Sequence, residues 1–186
     1  ITLGALTHGN DLIHQVGEAI GNDCKQAGIQ WNLAPLVDIN NNPENPVIGY
    51  RSFGDNRERV VEKAEAFLKG MTISGTLNSI KHFPGHGDTA TDSHLGLPVI
   101  DKSLDELLQN ELYPFKKLIE VGVDSVMVGH LLLPQLDTEN PSTTSPKIIT
   151  ELLRKQLGFT GVVISDALNM HAVSKKFPKK GTLEKA

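Results

Sequence analysis

Helical spacings of apolar residues alternate with short β-branched runs along the whole chain, and this alternation is the strongest constraint on its fold. Leu12, Ile13, Val16, Ala19, Ile20 and Ala27 recur at helical intervals, and Gly28 supplies a stop. Ile29 to Val37 then reads as a buried strand, and Asp38 to Asn56, rich in Asn, Pro and Gly, as a long loop. A second helix carries Val60, Val61, Ala64, Phe67, Leu68 and Met71 on one face, and Leu77 to Phe83 is the next strand. A polar, Gly-rich loop runs from Pro84 to about Gly96. Ser103 and Glu106 spell a capping box ahead of a third helix, whose apolar face is Leu107, Leu108, Leu112, Phe115, Leu118 and Ile119. Pro114 should kink or divide that helix. Ser125 to Gly129 is a strand. Ser145 and Pro146 open a helix that buries Ile149, Leu152, Leu153 and Leu157 and ends at Gly158. Gly161 to Ser165 is the last strand. The order αβαβαβαβ predicts a parallel sheet, and without an internal repeat or linker it predicts one domain over residues 1–186.

The chain has 186 residues, 39% of them hydrophobic, enough for a real core. A net charge of −4 argues against a nucleic-acid binder, which would show a basic face. No apolar run approaches the roughly 18 residues of a membrane span. No signal peptide is visible, although a chain opening on Ile1 leaves the compartment open. Cys24 is single, which excludes an internal disulfide, and its helical setting makes it a core residue.

Four βα units fit either an open doubly wound sheet or part of a (β/α)8 barrel. Asp38, Lys81, His82, His130 and Asp166 all fall at or just after the C-terminal end of a strand. In a barrel those ends form one catalytic face. A doubly wound sheet would more often place a Gly-rich phosphate loop after its first strand, and none is present. The expected fold is therefore an α/β partial barrel of about four units.

Three constellations carry chemistry. The densest is Lys81-His82-Phe83-Pro84-Gly85-His86-Gly87-Asp88-Thr89-Ala90-Thr91-Asp92-Ser93-His94, which holds three of the seven histidines. Asp92 and His94, two apart, project to one side of an extended loop. The carboxylate can fix the ring and favour its charged form, which suits a proton donor near neutral pH. An ordinary surface hydrogen bond explains the same pair. His82, His86, His94 and Asp88 also compose a candidate zinc site, though not at helical geometry. The second constellation is Gly161 to Met170, where Asp166 follows a β-branched strand. It either caps the next helix or serves as a nucleophile at an anomeric carbon. The third runs from Asn32 to Gly54. Arg51 there can grip sugar hydroxyls through its fork of donors or pair with Asp38 or Asp55. Asp38 reads as structural, His130 as packed or functional alike, and Trp31 and His171 as core or supporting residues.

Together these motifs resemble the N-terminal barrel domain of glycoside hydrolase family 3, in its β-N-acetylhexosaminidase branch. The branch motif Lys81-His82-Phe83-Pro84-Gly85-His86-Gly87, then Asp88-Thr89, then Asp92-Ser93-His94, stands intact, and the likeness extends to about Val173. The resemblance implies a retaining hydrolase that removes terminal β-linked N-acetylglucosamine. Asp166 would be the nucleophile, His94 the acid/base and Asp92 its partner, while Arg51, Lys81 and His82 hold the sugar. It implies no cofactor and no metal. Its partner is an N-acetylglucosamine-containing oligosaccharide or peptidoglycan fragment. It also implies that the first and last barrel strands lie outside this chain. A histidine acid is favoured in its charged form by a nearby nucleophilic carboxylate. As a base it repels phosphate less than a carboxylate would, so phosphorolysis is a related reaction within the same family. A metal-dependent barrel hydrolase and a sugar-binding relic compete with these readings. The retention of Asp166, His94 and Asp92 together speaks against the relic.

Overall fold

The computed structural model describes residues 2–89 and 97–170. Asp92, His94 and His171 lie outside the described residues.

Two long helices come first. α1 spans Asn10–Gln26 and α2 spans Arg57–Ile73. They pack closely because glycines stand at the crossing: a Cβ on Gly70 would meet the His14 carbonyl oxygen at 1.9 Å. The Asn56 side chain caps α2 by accepting from the Arg59 N–H. β1 is Ser79–Phe83, β2 is Ser125–Val128 and β3 is Val162–Ser165. They form a parallel sheet in the order β1-β2-β3, so neighbours in space are neighbours in sequence, as in a barrel wall.

The expected third helix is divided, as Pro114 requires. α3 spans Leu104–Gln109 under a complete Ser103–Glu106 capping box, and α4 spans Tyr113–Val121 with Pro114 in its first turn. α5, Lys147–Gln156, follows the expected Ser145-Pro146 start, and Ser145 Oγ accepts the Ile148 N–H. Its turns are of the wider π type, with Leu157 N–H reaching the Leu152 carbonyl. The wider turn buries Ile148 with Leu152 and Leu153, whereas Ile149 and Leu157 are only half-buried.

The first of the four expected strands is corrected. The chain from Trp31 to Val37 runs beside β1 and the residues that lead into it, but pairs with them only as two isolated bridges, Trp31 to Leu77 and Leu36 to Lys81, and not as a continuous ladder. Pro35 has no N–H to continue the ladder, so the described sheet has three regular strands rather than four. The bonds that survive still hold this segment parallel to β1: Asn32 N–H to Leu77 O, Ser79 N–H to Ala34 O and Val37 N–H to Lys81 O.

The two faces of the sheet differ. Ile80, Val126, Val128 and Val163 join the core made with α2, α4 and α5. Lys81 and Met127, paired across the strands, face the cavity described below. Among the described residues no helix is long and apolar enough to cross a membrane.

Candidate active site

The C-terminal ends of the strands open into a cavity of about 520 Å³. Arg51, Lys81, His82, His86, Asp166 and Asn169 supply its polar lining, and Leu33, Val47, Met127, Ala167 and Met170 its apolar part. Four of the expected site residues, Arg51, Lys81, His82 and Asp166, are therefore brought together.

Asp38 is the hub beneath them. Its side chain is fully buried. Oδ2 lies 2.8 Å from His82 Nδ1, and Oδ1 accepts the His86 N–H at 2.7 Å and the His82 N–H at 3.2 Å. Burial alone would raise the Asp38 pKa, but His82 and His86 outweigh it and hold the carboxyl below its usual range. An ionised carboxylate only accepts, so His82 Nδ1 carries its hydrogen and Nε2 is the nitrogen left for other partners. The register of β1 shifts between Lys81 and Phe83, which places one extra residue at His82 against β2.

The turn after β1 is fastened from several sides. Asn45 Nδ2 donates to the carbonyls of His86 and Gly87, while Asn45 Oδ1 accepts the N–H groups of Val47 and Ile48. One buried amide thus ties the turn to the loop that carries Arg51. A Cβ on Gly87 would meet the Ile39 carbonyl oxygen at 1.6 Å, so only glycine permits this approach. His86 Nδ1 lies 2.7 Å from Thr89 Oγ1, and burial pushes the His86 pKa down.

Arg51 ends a short helical turn, Gly49–Arg51, is exposed, and donates from Nη1 to the Val47 carbonyl at 3.2 Å. The pairing with Asp38 that the sequence allowed does not form, because the histidines occupy that carboxylate. Lys81 is pushed below its usual pKa, first by burial and then by the Arg51 charge, with Asp166 and Asp38 opposing. Asp166 follows β3 directly. Its N–H donates to Val128 O at 2.9 Å, and its Oδ1 accepts the Ala167 N–H at 2.7 Å.

Asp88, one of the candidate zinc ligands, turns away from the cavity to an ion pair with Lys102 at 2.5 Å. Among the described residues no group of three or more His, Cys, Asp or Glu is placed to hold a metal. Asp38 was expected to be structural rather than a hub, and the cavity positions Leu33, Val47, Asn169 and Met170, although inside the constellations, carried no expected role. Asn169 and Met170 had a usable signal, since they lie within one turn of Asp166.

A parallel α/β wall that gathers a carboxylate, two cations and two histidines at its C-terminal strand ends has the site architecture of a barrel enzyme. The chain belongs to the glycosyl hydrolase family 3 N-terminal domain family, whose model matches residues 1–186. It is 41% identical over 183 residues to the beta-hexosaminidase A of Pseudoalteromonas piscicida, covering 91% of this chain and 31% of that protein. It is similar to a family 3 β-N-acetylglucosaminidase from Paenibacillus sp. str. FPU-7, with 41% identity and a TM-score of 0.95 over 99% of this chain and 35% of the other. A fungal multi-domain family 3 β-N-acetylglucosaminidase matches at 47% identity and a TM-score of 0.92, over 98% of this chain and 22% of the other. The chain spans between 31% and 47% of the length of the first curated relatives it matches.

Proposed function

We propose that this chain is a single domain, part of the catalytic barrel of a retaining β-N-acetylhexosaminidase acting on N-acetylglucosamine-containing oligosaccharides or peptidoglycan fragments. The observation that carries the reading is Asp166 at the C-terminal end of β3, on the same cavity as Arg51, Lys81 and His82. One Asp166 oxygen is held by the Ala167 N–H, which leaves the other to react. In the first step that oxygen bonds to the anomeric carbon as the glycosidic C–O bond breaks. The bonding pair leaves with the departing oxygen, which takes a proton from His94. In the second step water gives a proton to His94 and attacks the same carbon, releasing the Asp166 carboxylate. Asp92 orients His94 and favours its charged form. Arg51, Lys81 and His82 hold the sugar hydroxyls, the two cations supplying donors and His82 its outward Nε2.

The names of the relatives and the intact motif from Lys81 to His94 support the acetamido sugar as substrate. The test is kcat/KM on aryl β-N-acetylglucosaminide against aryl β-glucoside. A strong preference for the first is expected, and comparable values would reject the proposal. The same reaction run with and without a chelator separates this mechanism, which needs no ion, from a metal-dependent hydrolase.

A further inference from the structure

His130 follows β2 and is buried with both ring nitrogens engaged. Nε2 lies 3.0 Å from the carbonyl oxygen of Ala167, and Nδ1 lies 2.9 Å from Thr143 Oγ1. A carbonyl only accepts, so Nε2 carries the hydrogen. Burial pushes the His130 pKa down, so the neutral ring prevails near pH 7 and its Nδ1 accepts the Thr143 hydroxyl hydrogen. The backbone on either side is fixed as well. Ser142 Oγ donates to the Gly129 carbonyl and accepts the Leu131 N–H, which ties the Thr143 segment to the end of β2.

Ala167 is the residue whose N–H holds Asp166 Oδ1. We propose that His130 is a positioning residue for Asp166: locked by Thr143 with its hydrogen on Nε2, it pins the Ala167 carbonyl and so sets the direction of the Asp166 carboxylate. The order of contacts is Thr143 hydroxyl, His130 ring, Ala167 backbone, Asp166 carboxylate. β2 holds the near side of the nucleophile through Val128 O, and His130 holds the far side.

This inference rests on the reading of Asp166 as nucleophile, and the experiment separates the two. In the full protein, single-turnover release of an activated phenol from aryl β-N-acetylglucosaminide reports attack by Asp166. His130→Leu lowers that rate about 10–100-fold, the scale of a misplaced reacting group, with KM nearly unchanged. His130→Gln keeps an N–H donor for Ala167 and an acceptor for Thr143, and restores most of the rate. Thr143→Val removes the donor to Nδ1 and frees the ring to tilt, with a smaller loss of rate, while the 15N shifts of His130 keep the Nε2–H form that the Ala167 carbonyl selects. Asp166→Ala is the control: if it keeps activity, the nucleophile reading falls. If it is inactive while His130→Leu is as fast as the parent, or His130→Gln is as slow as a folded His130→Leu, only the positioning role is overturned. If His130→Leu does not fold, the rates of His130→Gln and Thr143→Val decide the matter, and a Thr143→Val as fast as the parent overturns the positioning role.

Discussion

The Asp38 carboxylate meets Nδ1 of His82 at 2.8 Å with the side chain of Asp38 wholly out of water. A charge in that position has no solvent to fall back on, so its value lies in what it organises. Asp38→Asn offers an amide N–H to Nδ1 and forces the hydrogen to Nε2, inverting the face that His82 turns to the sugar. The expected loss in kcat/KM is about 10–100-fold, the scale of one hydrogen bond to a charged group. Asp38→Ala should also destabilise the fold by about 3 kcal/mol or more, since it leaves buried donors unpaired. Denaturant titration and steady-state kinetics on the two variants check both figures, and full activity in Asp38→Asn would contradict the role given to Asp38.

Lys102 does for the outer side of the turn what Asp38 does for the inner side. Its Nζ bridges Asp88 at 2.5 Å and Glu111 at 2.6 Å, and the Glu111 side chain is only 2% exposed. Lys102→Met would strand the buried Glu111 charge, with an expected cost of about 3 kcal/mol in unfolding free energy. The double change Lys102→Met with Glu111→Gln should recover part of it, because the stranded charge is gone. Additive losses in the double variant would show that the pair is not coupled.

Stability should decline as the solution is acidified below about pH 6.5, the ordinary imidazole value. Burial holds His86 and His130 below that value in the folded protein. Between the unfolded and folded pKa the unfolded chain therefore binds more protons, and stability falls with falling pH. Asp38 and Asp137, both held below the ordinary aspartate range, add a second decline in more acidic solution. The urea midpoint between pH 8 and pH 4 reads the first decline, and a flat profile from pH 7 to pH 5 would contradict it.

The fold was legible where local pattern and long-range order agree. The β-branched runs at Ser125–Val128 and Val162–Ser165 form the strands their pattern requires, although only the first is buried and Val162 is exposed, and the Ser103–Glu106 box marks its helix outright. The segment from Trp31 to Val37 looked the same by composition, but one missing N–H at Pro35 breaks its ladder into two bridges. The width of α5 has no pattern of its own, because it buries Ile148 in place of Ile149 and the two side chains are the same. In the site, Arg51, Lys81, His82 and Asp166 were readable as polar residues at strand ends or in a constrained loop. Asp38 was not readable as a hub, since its partners lie 44 and 48 residues away, beyond any spacing rule. Asp92 and His94 lie outside the described residues, and their roles stand as proposals.

The division of labour between Asp166 and His94 should appear in the dependence on leaving group. A sugar alkoxide needs a proton to depart and an electron-poor phenolate hardly does. His94→Ala should therefore lose about 10²–10⁴-fold on a natural disaccharide, the usual worth of general acid–base help, and far less on an activated aryl substrate. Asp92→Ala should give a weaker form of the same slope. Rates plotted against leaving-group pKa check this, and a uniform loss would count against His94 as the acid.

The most direct test follows from the same variant. Without His94, water lacks its base, so glycosylated protein should accumulate on an activated aryl β-N-acetylglucosaminide. Peptide mass spectrometry of the quenched His94→Ala protein is the measurement. The predicted result is one N-acetylglucosaminyl group, carried by the peptide that contains Asp166 and bonded to that residue. An adduct on another residue, or none while the variant still turns over, would contradict the assignment of Asp166 as nucleophile.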